Sequence, residues 1–122
     1  MPVLTGLDHP RCWQQAISIV VDTYHLSSNG NLILDLNMKD QLRKTALSIA
    51  SHTAEGKEGR NPSQCIKSLY SAKASAEVLR ILLAISREAG YLAEGDLLEF
   101  EDKILRLLST IDSKIRSLKR RL

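Results

Sequence analysis

A chain of 122 residues with 43% hydrophobic and 25% charged side chains has the size and balance of one soluble domain, and hardly of two. Aromatic residues make up only 4%, so a core must be filled by Leu, Ile, Val and Ala. The formal charge of +3 is too small for a nucleic-acid-wrapping tail, and two widely separated cysteines, Cys12 and Cys65, exclude a zinc ribbon or a disulfide-dense secreted module.

Apolar residues at Trp13, Ala16, Ile17, Val20, Val21 and Tyr24 recur every three or four positions and predict a helix over about 9–27. Asp8 is placed to cap it, Pro10 to occupy its opening turn, and Ser27-Ser28-Asn29-Gly30-Asn31 to end it. Leu32-Ile33-Leu34 has no partner strand elsewhere and reads as a packed connector. A second helix is expected over 38–58, carrying Leu42, Ala46, Ile49, Ala50 and Thr53 and leaving through Gly56 and Gly59. Asn61 as cap, Pro62 at the first helical position and Gln64 completing a box-like start open a third helix. Nothing breaks that helix before Gly90, so it covers 62–89. The fourth covers 95–120, with Glu94, Asp96 and Glu99 at its start and Lys119, Arg120 and Arg121 at its end, both matched to the helix dipole. Four helices on short connections make an all-α bundle.

Helix three carries two apolar lines. Leu69, Ala72, Ala76, Leu79 and Leu83 form one; Ala74, Val78, Ile81 and Ile85 form another, rotated from it. A bundle helix buries one side only, so the second line points to a homo-oligomer. The first residues lack the charged and apolar regions of a signal peptide, and runs such as Ile19-Val20-Val21 are far too short to span a membrane. The expectation is a cytoplasmic protein with reduced thiols and no membrane partner.

The stretch Gln41–Gly56, Q-L-R-K-T-A-L-S-I-A-S-H-T-A-E-G, resembles the signature of the small four-helix proteins encoded in 23S ribosomal RNA intervening sequences. Ser68–Glu77 is similar to that family's F-L-x-x-A-x-G-S-x-x-E block, and Gly90-Tyr91-Leu92 to its G-Y-I turn. Ala50, His52, Thr53 and Ala74 depart from the pattern, and Ala93 replaces the usual Ser or Thr cap of helix four. The resemblance implies an antiparallel up-down-up-down four-helix bundle assembled as a homopentamer. It also implies kinship with the accessory variability determinant of diversity-generating retroelements, which binds nucleic acid and partners a reverse transcriptase.

Charge is unevenly spread. Residues 39–87 sum to +5, residues 88–112 to −5 and residues 113–122 to +5. Lys73, Arg80 and Arg87 are seven apart and lie on one helical stripe that suits a phosphate backbone, or else a solvated face with Glu77 paired to Lys73 and Arg80. The candidate nucleic-acid-binding residues are Arg43, Lys44, Lys57, Arg60, Lys67 and Lys73, with Lys119, Arg120 and Arg121 as a second site. No aromatic interleaves with them, which argues for phosphate and shape recognition of RNA or DNA and against base stacking. In the segments that resemble the family, Arg43, Glu55 and Glu77 form a candidate structural polar pair inside the bundle.

No arrangement supports catalysis, a metal or a cofactor. His52 and Glu55 reverse the E-x-x-H order of di-metal bundles and lack a second pair, while His9 and His25 stand alone near helix ends. Cys12 and Cys65 have no local base, and Gly56–Arg60 lacks the Gly-Lys-Ser/Thr ending of a phosphate loop. The expected function is therefore non-catalytic nucleic-acid or ribonucleoprotein contact. A protein-interaction scaffold is the alternative.

Overall fold

The computed structural model describes residues 11–56 and 61–122. Asp8, His9 and Pro10, with the capping expected of Asp8 and Pro10, lie outside the described residues, as do Lys57 and Arg60 of the candidate basic set. Four α-helices occur, with no strand among the described residues: α1 Arg11–Ser27, α2 Leu36–Glu55, α3 Pro62–Glu88 and α4 Glu94–Lys119. A single 3-10 turn, Gly30–Ile33, joins α1 to α2.

Each helix packs on the one before and after it, and α1 also packs on α4. Among the described residues the diagonal pairs α1–α3 and α2–α4 have no Cα atoms within 8 Å of each other, so a four-sided core lies between the helices. Leu42, Ile49, Leu69, Leu79, Leu83, Ile104, Leu107 and Ile111 fill it and are fully buried, and Phe100 is its one buried aromatic. Along α3 and α4 the contacts Lys73–Asp112, Arg80–Glu101 and Arg87–Glu94 climb one helix as they descend the other. The same order holds between α2 and α3, where Ser48 meets Ser75 and Gly56 lies against Leu69.

The face α1 buries differs from the expected one. Cys12, Ala16, Ile19, Val20, Thr23 and Ser27 are buried, whereas Val21 is exposed and Trp13, Ile17 and Tyr24 lie at the edge. The helix is turned by about one residue step because two hydroxyls satisfy themselves. Thr23 donates to the Ile19 carbonyl and Ser27 to the Thr23 carbonyl, each at 2.7 Å. A hydroxyl closed on its own helix is cheap to bury.

α2 begins earlier than expected, at Leu36, because the Asp35 carboxylate caps it by accepting the Met38 N–H at 3.0 Å. The other carboxylate oxygen accepts the Tyr91 phenol at 2.9 Å. Tyr91 reaches it from the turn after α3. There Gly90 takes φ 81°, the Gly90 N–H donates to the Arg87 carbonyl, and the Tyr91 N–H donates to the Ser86 carbonyl at 2.8 Å. That paired ending needs a left-handed residue, which glycine supplies without strain. The connector is only partly packed: Leu32 is buried, but Ile33, Leu34 and Leu36 are exposed.

α3 opens as its sequence predicts, with the Asn61 side chain accepting from the N–H groups of Ser63 and Gln64 and Pro62 at the first helical position. Its two apolar lines separate cleanly. Leu69, Ala72, Ala76, Leu79 and Leu83 are fully buried, while Val78, Ile81 and Ile85 are 46%, 59% and 47% exposed. α4 starts at Ala93 without a side-chain cap, leaving Glu94 and Asp96 in the first turn to oppose the dipole.

Candidate nucleic-acid interface

The contacts from α3 to α4 decide which basic residues are available. Lys73, Arg80 and Arg87, the expected phosphate stripe, each take a carboxylate of α4. Lys73 meets Asp112 at 2.7 Å, and Arg80 binds both Glu101 at 3.1 Å and Glu77 at 3.2 Å. Arg87 pairs with Glu94 and with Glu88. Hydrogen bonds from Glu101 and then Glu77 raise the Arg80 pKa, while those from Glu94 and then Glu88 raise that of Arg87. The stripe is thus a series of inter-helix ion pairs. Three cations of the positive stretch 39–87 face carboxylates of the negative stretch 88–112 and are not free for phosphate.

Arg43 is also engaged, and not with a carboxylate. Its Nε donates to Ser27 Oγ at 2.8 Å, a terminal nitrogen donates to Ser28 Oγ at 2.9 Å, and the guanidinium lies 4.5 Å from the Tyr24 ring centroid. The expected grouping of Arg43, Glu55 and Glu77 does not form. Arg43 and Glu55 are twelve residues apart on one helix, which at 1.5 Å per residue separates them by about 18 Å. Glu55 bonds His52 instead, at 2.7 Å, and Glu77 bonds Arg80. Arg43 pins the end of α1 to the start of α2. Beside it, Lys44 pairs with Asp40 at 3.0 Å.

At the opposite end of the bundle the remaining cations come together. Lys119, in the last turn of α4, donates to the Tyr70 hydroxyl of α3 at 3.1 Å. The ammonium groups of Lys73 and Lys119 each lie 5.6 Å from the Tyr70 ring centroid, within cation–π range. Lys67 sits one helical turn before Tyr70, and Arg120 and Arg121 follow Lys119. Lys67, Lys119, Arg120 and Arg121 are exposed and form no ion pair among the described residues. The structure thus corrects two expectations: an aromatic does lie among the basic residues, and the proposed set splits between two ends. Tyr70 escaped notice because its second cation lies 49 residues away in the chain.

The end bearing Arg43 and Lys44 is richer in acid. A cleft of 550 Å³ opens there between α1 and α4, lined by Asp22, His25, Asn29, Tyr91, Asp96, Glu99, Phe100 and Lys103. Lys103 closes one side of it by pairing with Asp22 and donating to Ser18 Oγ at 2.9 Å. Sequence reasoning had no signal for this cleft.

Cys12 and Cys65 are buried and form no disulfide. They lie on α1 and α3, which have no Cα atoms within 8 Å of one another, beyond the reach of a disulfide. Burial pushes the Cys12 thiol up, away from the reactive thiolate. Among the described residues, no three His, Cys, Asp or Glu side chains come together in a way that could hold a metal ion, and no helix is long and apolar enough to cross a membrane.

An aliphatic four-helix core with charge sorted toward its two ends defines a small all-α protein with a basic pole. Residues 9–113 match the family model described as 23S rRNA-intervening sequence protein, and the chain belongs to that family. The match takes in α1 to α3 and most of α4, and ends before Lys119, Arg120 and Arg121. No curated protein matches the chain.

Proposed function

We propose that this protein is a non-catalytic, homo-oligomeric, antiparallel up-down-up-down bundle that contacts nucleic acid through its basic end. One observation carries the reading: Lys119 of α4 meets Tyr70 of α3, and the cations next to these two in the chain, Lys67, Arg120 and Arg121, are exposed and, like Lys119, without carboxylate partners among the described residues. Four such cations displace counterions from a phosphate backbone but bind weakly alone. A ring of copies, five on the family resemblance, multiplies the contact. The exposed Ala74, Val78, Ile81 and Ile85 stripe supports self-association, since a lone bundle gains nothing by presenting it to water. The order of contacts along α2, α3 and α4 supports the up-down arrangement.

Two measurements test the reading. Anisotropy of a labelled hairpin RNA and of a duplex DNA across a salt series should show affinity falling steeply, with a logarithmic slope of about 0.9 per phosphate neutralised on the duplex. Absence of binding at low salt would end the nucleic-acid reading and leave a protein-interaction scaffold. Mass in solution should be near five times 13.6 kDa, and a monomer at micromolar concentration would remove the ring.

A further inference from the structure

The basic end holds one group that phosphate neutralisation does not need. Tyr70 is 46% exposed, and it lies between a lysine of its own helix, Lys73, and one of α4, Lys119. Its hydroxyl is held by Lys119 at 3.1 Å, and the lysine ammoniums lie 5.6 Å from the ring centroid. Lys73 is itself held by Asp112, so the ring is oriented from both helices. An exposed aromatic ring held by one unpaired lysine, with further exposed cations adjoining in the chain, joins the two elements by which proteins bind unpaired nucleotides: a π-face for a base and positive charge for the flanking phosphates. In a duplex the bases are already stacked on one another and offer no free face to the ring.

We infer that the basic end recognises single-stranded nucleic acid, with one base stacked on Tyr70 and adjoining phosphates neutralised by Lys67, Lys119, Arg120 and Arg121. This rests on the nucleic-acid reading above and adds the class of strand. Tyr70 supplies the part of the affinity that salt does not remove, and the cations supply the part that it does. Lys73, neutralised by Asp112, positions the ring and contributes little to the salt dependence.

The discriminating probe is a pair of single strands of equal length and charge, an oligothymidylate and the same backbone without bases. The oligothymidylate should bind roughly five- to a hundredfold more tightly, the range one stacked base confers. Tyr70→Leu should erase that difference and leave the salt slope unchanged, while Tyr70→Phe keeps most of it. Arg120→Gln with Arg121→Gln should flatten the salt slope for both strands and preserve the ratio between them. A duplex of the same length should be indifferent to Tyr70→Leu. Equal, salt-sensitive binding of the two single strands would overturn this inference alone, as would a Tyr70→Leu protein that still prefers the strand with bases. No binding of either strand at low salt would overturn the nucleic-acid reading and this inference with it.

Discussion

Gly56, which follows α2, is a sharp test of how the core is packed. Its φ of −81° is one that any residue adopts, so backbone conformation does not require glycine there. The reason is proximity. A Cβ at this position would lie 2.6 Å from Cδ2 and 2.7 Å from Cγ of Leu69, which is fully buried. Because Cγ as well as a methyl is struck, the whole side chain must move within a filled core. Overpacking of this kind costs about 1–3 kcal/mol, and with Cγ displaced in a filled core this site falls at about 2–2.5 kcal/mol. Stiffening the unfolded chain returns about 0.4–1 kcal/mol, so Gly56→Ala should lose about 1–2 kcal/mol net. With an unfolding entropy of about 2.1 cal/mol/K per residue, 1 kcal/mol moves Tm by about 4 °C in a chain of this length, so the expected fall is about 4–8 °C. Thermal unfolding followed by far-UV circular dichroism measures that fall, and urea unfolding the free energy. On a Leu69→Ala background, itself costing about 2–5 kcal/mol, adding Gly56→Ala should cost almost nothing, because the struck atoms are gone. A Gly56→Ala protein as stable as the parent would refute the close-approach argument.

Three other outcomes follow from the same contacts. Arg43→Lys should destabilise by about 1 kcal/mol in urea unfolding, since an ammonium cannot bridge Ser27 and Ser28 while stacking on Tyr24. An unchanged midpoint would contradict that role. The Met38 N–H, and after it the Tyr91 phenol, lower the Asp35 pKa, so its contribution to stability is present above the unfolded aspartate value of about 4 and is lost as pH falls through the lower folded value. Asp35→Asn should therefore flatten the acid loss seen below about pH 5, and parallel losses in parent and variant would argue against it. Ile81→Asp, on the exposed line of α3, should lower the mass in solution while leaving helicity at room temperature nearly unchanged. Full-sized oligomers of this variant would show that the stripe is not the subunit contact.

Much of the fold was legible because local chemistry and periodicity agree. Asn61-Pro62 announces the start of α3, Gly90-Tyr91 its end, and the two apolar lines of α3 take opposite fates, one in the core and one in solvent. The face of α1 was misread because Trp13 and Tyr24 count as apolar yet sit at the rim, while Thr23 and Ser27 count as polar yet bury hydroxyls bonded to their own helix. The site was less legible for a different reason. Summing charge by segment gives sign but not orientation, so it does not reveal that Lys73, Arg80 and Arg87 face Asp112, Glu101 and Glu94. Nor does any local pattern bring Lys119 to Tyr70. Those pairings exist only once α4 is laid along α3.

The central claim is that the two ends of the bundle differ in function, and one comparison tests it directly. Arg120→Gln with Arg121→Gln and Lys39→Gln with Lys44→Gln each remove two positive charges, the first pair from the basic end and the second from the start of α2. Binding of the same labelled hairpin RNA at low salt is then measured for both. The first variant should lose about tenfold or more in affinity with a flatter salt slope, and the second should match the parent. Equal losses in the two variants would mean that the protein attracts RNA by net charge alone, and the basic end would not be a site.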